Sequence, residues 1–378
     1  AMRVGDAMKT MRWFALAAAL PLALAVSAAD QPKVTNAQME TRAVSGSLEG
    51  MVKSIESAQT APVWVGYAEP ILASEPGRHR VMCCGSWSSD WNSGNCGPCS
   101  LESDRGNNMT NSDGPGASGN PVKLEGPDTM FILLRIADHQ IGQVRAFSPE
   151  CQMDAGGLKF IWLTDAKPAE SVALLAGIVT SANIEDRGGR QPGDGAVMAI
   201  ALHADPAADR ALASFVSPDR PEALRSKVSF WLGNERGRSG LDLLKQMAKH
   251  DPSTKVREQV TFALSQSHER DAMDELIRMA KEDESTKVRG QALFWLAQKA
   301  GQRAAGAITE AIENDPDTDV KKRAVFALSQ LPKDQGVPML IQVAKTNKNP
   351  VVRKQSMFWL GQSNDPRALA FFEDVLTH

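Results

Sequence analysis

The sequence predicts a mainly α chain: a C-terminal α-solenoid preceded by a small, cysteine-rich α+β domain. Three observations carry this. A 32-residue pattern recurs five times towards the end of the chain; apolar runs of strand type lie before it; and all five cysteines fall between residues 83 and 151. The chain has 378 residues, 42% hydrophobic and 23% charged, with a formal net charge of -3. That balance gives no general reason to expect nucleic acid or an anionic membrane as partner.

Residues 1–29 read as a signal peptide. Lys9 and Arg12 precede an apolar run from Trp13 to Val26, and the small residues Ser27, Ala28 and Ala29 follow. The run is short for a membrane-spanning helix, and no later stretch is apolar enough to span. The mature protein is therefore expected in the periplasm or outside the cell, without a membrane span, where cysteines are normally oxidised.

Residues 30–46 are polar and read as a flexible linker. The small α+β domain is placed at 47–165. In it, Leu48, Met51, Val52 and Ile55 have helical spacing behind a capping Ser47, and Val63 to Tyr67 reads as a strand. A loop at 83–120, rich in Cys, Gly, Ser and Asn, has too few large apolar residues to fold by burial alone. Strands are expected at Thr129 to Ala137, Gln143 to Phe147 and Leu158 to Leu163, with a turn at Asp138-His139-Gln140. Helices follow at Ser171 to Val179 and Ala196 to Leu202. The glycine-rich stretch Asp186 to Gly195 lacks a phosphate-loop Lys-Ser/Thr and reads as a loop between them.

The solenoid is assigned to 166–378, with clear repeats at 224–378. Leu224-Arg225, Val256-Arg257, Val288-Arg289, Val320-Lys321 and Val352-Arg353 begin successive copies. Six residues on, each copy has Phe (230, 262, 294, 326, 358), and two further on, Leu (232, 264, 296, 328, 360). Within the second copy Val256, Val260, Ala263 and Leu264 share one helical face, a polar elbow runs from Ser265 to Arg270, and Met273, Leu276, Ile277 and Ala280 mark a second helix. Such a hairpin cannot bury its own apolar faces, whereas stacked neighbours can.

These residues resemble HEAT repeats of the short type, also called PBS-lyase HEAT-like repeats. The resemblance implies a hydrogen-bonded Asp–Arg ladder between repeats. Asp251, Asp283 and Asp315 stand six residues before Arg257, Arg289 and Lys321, while the last copy has Asn347 before Arg353. Residue +7 alternates between Trp (231, 295, 359) and Ala (263, 327), a 64-residue superperiod in which bulky and small residues face each other, so the tryptophans are expected in the core. An amide row, Asn234, Gln266, Gln298, Gln330 and Gln362, is expected to cap helix ends and bond to itself.

For chemistry, Cys83, Cys84, Cys96, Cys99 and Cys151 favour structural disulfides, with fifteen possible arrangements of two bonds and one odd thiol. A zinc site on Cys83, Cys84, Cys96 and Cys99 fits less well, because adjacent ligands are unusual. Cys96-Gly97-Pro98-Cys99 copies a thioredoxin-like tetrapeptide, but its surroundings lack the strand and helix that activate the thiol. No catalytic constellation, metal site or cofactor is expected. The alternatives are thiol–disulfide exchange through Cys96 and Cys99, or the bilin lyase activity of some proteins with these repeats. The expected function is an exported scaffold that holds a protein or peptide partner in the cell envelope. Residues 224–378 hold 24 Lys+Arg and 20 Asp+Glu, too balanced for a nucleic-acid groove. Its binding rows are expected on the second helices: Gln246, Arg278, Glu310 and Gln342 at +22, and Lys249, Lys281, Glu313 and Lys345 at +25.

Overall fold

A computed structural model describes residues 31–73, 81–83, 86–88, 99–102, 129–149, 151–180, 183–184, 191–299 and 302–377. Pro32–His378 is one compact unit. Residues 1–29, expected from the sequence to be a signal peptide, lie outside the described residues, as do Cys84, Cys96 and most of 83–120.

The N-terminal part is built on a five-stranded sheet of order β2-β10-β3-β7-β8. It comprises β2 (Gln38–Ala43), β3 (Val63–Pro70), β7 (Thr129–Ala137), β8 (Gln140–Phe147) and β10 (Lys159–Thr164). The pairs β2/β10 and β10/β3 are parallel, while β3/β7 and β7/β8 are antiparallel. A second sheet, β1-β9-β6, is wholly parallel and joins β1 (Lys33–Thr35), β9 (Gln152–Asp154) and β6 (Cys99–Ser100). A hairpin of β4 (Val81–Cys83) and β5 (Ser86–Ser88) lies within the cysteine-rich stretch.

Residues 33–43 are thus strands of two sheets and not a flexible linker. Their sequence is polar because β2 is an edge strand, and its partner is 121 residues away: Gln38 pairs with Lys159. Glu40 accepts from Arg42 and Lys159, which hold its carboxyl down to about 2. The Asp138-His139 turn between β7 and β8 has both residues at positive φ (50° and 59°), the two-residue geometry that suits the twist of a hairpin.

Strand alternation divides the interior in two. Val63, Val65, Tyr67, Ile132, Leu134, Ile136, Ile161 and Leu163 face the helices. Trp64, Phe131, Leu133, Phe160 and Trp162 face the other way, with Cys99, Leu101, Cys151 and Met153. Gly66 makes room on that side: a Cβ there would stand 2.7 Å from Leu133 and 3.0 Å from the Trp162 ring. Helix α1 (Leu48–Ala58) starts at Ser47, whose Oγ accepts from the Gly50 N–H. Helix α2 (Pro168–Ile178) sends Glu170 to accept from the Leu48 N–H at 2.8 Å.

Helix α3 (Pro192–Leu202) starts inside the stretch expected to be a loop. Pro192 suits a first turn, and Gly195 lies so close to β8 that a Cβ would meet the Val144 carbonyl oxygen at 2.0 Å. Gly193 and Gly195 serve close packing, not chain reversal. The helical repeat region begins here. Helix α4 (Ala207–Phe215) completes a degenerate pair, and five clear pairs follow. They are α5 (Glu222–Glu235) with α6 (Gly237–His250), α7 (Thr254–Gln266) with α8 (Arg270–Glu282), α9 (Thr286–Lys299) with α10 (Gln302–Asn314), α11 (Thr318–Ser329) with α12 (Lys333–Thr346), and α13 (Pro350–Gln362) with α14 (Pro366–Thr377). One apolar core runs from the helix-facing side of the sheet through every repeat.

The Asp–Arg ladder is present and buried. Arg225 binds Asp251 at 2.7 and 3.0 Å, Arg257 binds Asp283 at 3.0 and 3.2 Å, and Arg289 binds Asp315 at 2.8 and 3.1 Å. Arg257 and Arg289 also donate to the carbonyl oxygens of Asp251 and Asp283, each at 2.8 Å, so these two Asp residues each join two arginines. The same Asp carboxylates accept from the N–H two residues on, ordering the turn before the next first helix. The fourth rung is missing: Lys321 turns to the Glu313 carbonyl, and Asn347 offers no charge.

At the seam between sheet and repeats, β3 ends at a buried pair. His203 Nε2 lies 3.6 Å from Glu69 Oε2, and both side chains are at most 1% exposed. His203 Nδ1 accepts from the Asp205 N–H at 3.2 Å, so a neutral ring carries its proton on Nε2. Burial, then the Asp205 charge, pushes the Glu69 carboxyl up to about 8. Burial lowers the His203 ring to about 4, against Asp205 and aided by Arg236. At neutral pH the pair is an uncharged acid beside an uncharged ring.

Two predictions follow from these contacts. Arg289→Ala leaves Asp315 buried without its partner and destabilises the array by about 3–5 kcal/mol. Lys321→Arg with Asn347→Asp supplies the missing rung and raises the melting temperature. Denaturant unfolding tests both, and an Arg289→Ala protein that unfolds like the parent refutes the ladder's role. The second concerns pH. Glu69 is raised from its ordinary 4.5, so the stability it allows is complete below 4.5 and is lost as pH rises through about 8. His203 is lowered from 6.5, so its contribution is present above 6.5 and is lost as pH falls through about 4. Glu69→Gln should abolish the alkaline loss and keep the acid one in melting curves from pH 4 to 9; parallel profiles for the two proteins contradict this.

Candidate binding face

The expected rows at +22 and +25 do share one outer side of the second helices. Gln246, Lys249, Lys281, Glu310, Glu313, Gln342 and Lys345 are exposed, and Arg278 is half-buried. Three of the cations, Arg278, Lys281 and Lys345, are ion-paired. Lys281 meets Glu310 of the next repeat at 2.5 Å, Lys345 meets Asp374 at 3.6 Å, and Arg278 is held by Glu275 at 2.6 Å and Glu282 at 3.6 Å. Glu275 in particular keeps the Arg278 guanidinium above its ordinary value. The Lys281–Glu310 and Lys345–Asp374 pairs link neighbouring second helices, while the Arg278 pairs lie within one helix.

The first helices present something different. Phe230 stacks on Phe262 with centroids 6.1 Å apart and planes 18° apart, and Phe294 on Phe326 at 6.1 Å and 5°. Trp295 bridges these pairs, 4.8 Å from Phe262 and 4.9 Å from Phe294. Trp359 continues the row, 4.9 Å from Phe326 and 5.0 Å from Phe358, and Trp231 starts it, 5.0 Å from Phe230. Eight rings therefore form an unbroken ladder across five repeats. The three tryptophans pack on the core but are only half-buried, as are the first four Phe rings, and Phe358 is 53% exposed.

Helix geometry explains the ladder. At 100° per residue, position +6 falls about 160° from the centre of the buried stripe at +0, +4 and +8. The Phe row therefore points away from the core. An Ala at +7 (Ala263, Ala327) is fully buried, whereas a Trp there is too large and extends over the neighbouring Phe. The expectation that the tryptophans are core residues is thus met only on one side of each ring.

Amides border the rings. Gln298, Gln330 and Gln362 are exposed one turn beyond each Phe, and Gln259, Gln291 and Gln355 lie one turn before. The amide row does bond locally: Asn234 Nδ2 donates to the Phe230 carbonyl at 2.9 Å, Gln266 and Gln330 donate to Ser265 and Ser329, and Gln298 reaches Gln330 at 3.5 Å. Flat rings flanked by amide donors and acceptors suit an extended chain, whose side chains stack while its peptide groups hydrogen-bond.

Among the cysteines, Cys99 and Cys151 are at most 2% exposed and both are disulfide-bonded. Cys99 stands in strand β6, not at a helix N-terminus, so it lacks the setting that would make it a reactive thiolate. Cys83 closes β4, and Cys84 and Cys96 lie outside the described residues. Among the described residues no cluster of three or more His, Cys, Asp or Glu is placed to hold a metal, and no helix is long and apolar enough to cross a membrane.

A family model described as HEAT repeats matches residues 208–297 and 305–378. No curated protein matches the chain. Matching solved structures include human deoxyhypusine hydroxylase in complex with glycerol, with 16% identity, 55% of this chain and 90% of that one covered, and a TM-score of 0.29. The complex of CpcE and CpcF of phycocyanin lyase from Nostoc sp. PCC7120 matches with 18% identity over 42% of this chain and 97% of that one, at a TM-score of 0.32. Kap95p bound to RanGDP matches with 18% identity over 52% of this chain and 30% of that one, at 0.35. Likenesses this remote transfer no activity. With the family match and the repeat geometry together, the C-terminal part of this chain is built of HEAT-like repeats.

Proposed function

We propose that this protein is an exported scaffold that binds an extended polypeptide segment of an envelope partner along the aromatic face of its first helices. The ladder of eight rings carries the reading. Aromatic rings left half-exposed in a continuous stripe are the usual anchors of protein interfaces. The second-helix side, where Arg278, Lys281 and Lys345 already hold carboxylates, is the support in this reading. This moves the partner site from Gln246, Lys249, Arg278, Lys281, Glu310, Glu313, Gln342 and Lys345 to the row from Trp231 to Phe358.

Export is supported by the basic and apolar start of the sequence and by the buried, disulfide-bonded Cys99 and Cys151, which suit an oxidising compartment.

Photo-crosslinking tests the binding side. A benzoyl-phenylalanine at position 294 should yield partner adducts in cells, and one at position 281 should not. Phe262→Ala with Phe326→Ala should cut the yield about tenfold or more, while the array still melts cooperatively. Adducts from 281 alone would place recognition on the second helices. Export is tested by sequencing the N-terminus of the protein in the envelope fraction: it should begin at Asp30, and an intact leader in the cytoplasm contradicts export.

A further inference from the structure

The aromatic face is not uniform in charge along its length. At 100° per residue, positions -1, +2 and +3 of each first helix lie within about 60° of the Phe at +6, so they border the rings. In the first two repeats the cations there are committed: Lys227 is held by Asp194, and Lys255 by Glu222 at 3.3 Å, which leaves Glu258. In the third to fifth repeats the same positions carry Lys287, Lys322, Arg323 and Lys354 against one carboxylate, Asp319. Lys322 takes Asp319 at 2.9 Å, and the charge of Arg323 adds only the smallest part of what holds that carboxyl below its ordinary value. Lys287, Arg323 and Lys354 are exposed and make no ion pair among the described residues.

Arg323 is also held in position. A Cβ at Gly290 would stand 2.2 Å from Arg323 Cδ and 3.2 Å from its Nε, so the Arg323 stem lies in the notch that the missing side chain leaves. Gly290 stands one turn before Phe294 and Arg323 one turn before Phe326, the pair whose rings stack with planes 5° apart. The guanidinium is thus carried to the border of a flat aromatic pair. The 64-residue superperiod supplies an internal comparison. The other flat pair, Phe230 and Phe262, has Ser226 and Gln259 at the corresponding positions, so the fixed cation belongs to the later pair alone. A guanidinium takes a carboxylate through two parallel N–H donors, and a stem already fixed loses little freedom in doing so.

We propose that the third to fifth repeats receive an acidic stretch of the partner segment, with one carboxylate on the Arg323 guanidinium beside Phe294 and Phe326 and others near Lys287 and Lys354. The inference rests on the reading of the ladder as a polypeptide track and names the chemistry of the segment that lies on it. Lys287 and Lys354 are two helix layers apart, roughly 16–20 Å, which an extended chain crosses in about five or six residues. Three uncommitted cations over that length match two or three Asp or Glu residues, interspersed with large apolar side chains that pack on the rings. A polynucleotide would bring a phosphate with every nucleotide along the whole ladder, and the first two repeats offer it Glu258 in place of a free cation.

Fluorescence anisotropy on the full chain tests this with a labelled octapeptide, Asp-Leu-Glu-Phe twice over, and a twin with Asn and Gln for the acids. The acidic peptide should bind about tenfold tighter than its twin and lose that advantage as salt rises from about 50 to 300 mM. Arg323→Gln and Gly290→Ala should each weaken the acidic peptide by about fivefold and leave the twin unchanged. Gly290→Ala favours helix α9, so its effect would not come from unfolding. Lys255→Gln should change neither peptide. Equal binding of the two peptides, binding of neither, an acidic peptide indifferent to Arg323→Gln or Gly290→Ala, or an equal loss in Lys255→Gln overturns the inference. Tighter binding of an oligothymidylate of similar length assigns these cations to nucleic acid and overturns it as well. Phe262→Ala with Phe326→Ala separates this inference from the track itself. Two peptides that bind equally and are both weakened by the double variant leave the track and remove the acidic stretch; binding that ignores the double variant removes both.

Discussion

The buried guanidinium–carboxylate ladder is the constraint on which the array depends. Arg257 and Arg289, near the starts of their first helices, each span two turns, taking the carboxylate ahead with two nitrogens and the carbonyl behind with the third. Such pairs add little net stability over an apolar replacement, because both charges lose water. Their effect is on register. A repeat shifted by one helical position would leave a buried Asp or Arg uncompensated, and that cost far exceeds the loss of a few apolar contacts. Five hairpins of similar composition are thereby held to one way of stacking.

That fixed stacking decides which side chains remain outside. With +0, +4 and +8 committed to the core, Phe at +6 can only project from the first helices, and the same Phe in successive copies must come into line. The alternation of Trp and Ala at +7 then has a consequence beyond filling volume. Where Ala stands, the neighbouring rings stack flat; where Trp stands, it reaches across to the Phe of the preceding repeat. The ladder is continuous because the two residue types alternate. An all-Ala row would leave stacked pairs without bridges.

Much of this was legible in the sequence. The period, the hairpin of helices and the Asp–Arg spacing all stand in the observed repeats, and Ser47, Val63 to Tyr67 and the Asp138-His139 turn fall where local pattern puts them. What escaped was non-local. Gln38 to Ala43 looks like linker because an edge strand needs no apolar alternation, and its partner β10 lies more than a hundred residues on. Pro192 to Gly195 looks like a loop because its glycines are read as freedom, when Gly195 is there for the approach of Val144. The aromatic face escaped for another reason. The Phe row was visible as a marker of period, but its angle around the helix, the one quantity that separates a core residue from a surface ladder, has to be taken against the buried stripe.

The junction of the fourth and fifth repeats departs from the others at both ends. At the start of the first helices Lys321 and Asn347 omit the rung that Arg289 and Asp315 supply one repeat earlier. At the elbow end the helices part to leave a cavity under Trp359. Local stability in a repeat array is close to a sum of unit and nearest-neighbour terms, so a junction short of one buried pair and some packing is the place where the stack yields most easily. Lys for Arg and Asn for Asp remove the buried pair at one end of this joint, and the cavity lies at the other.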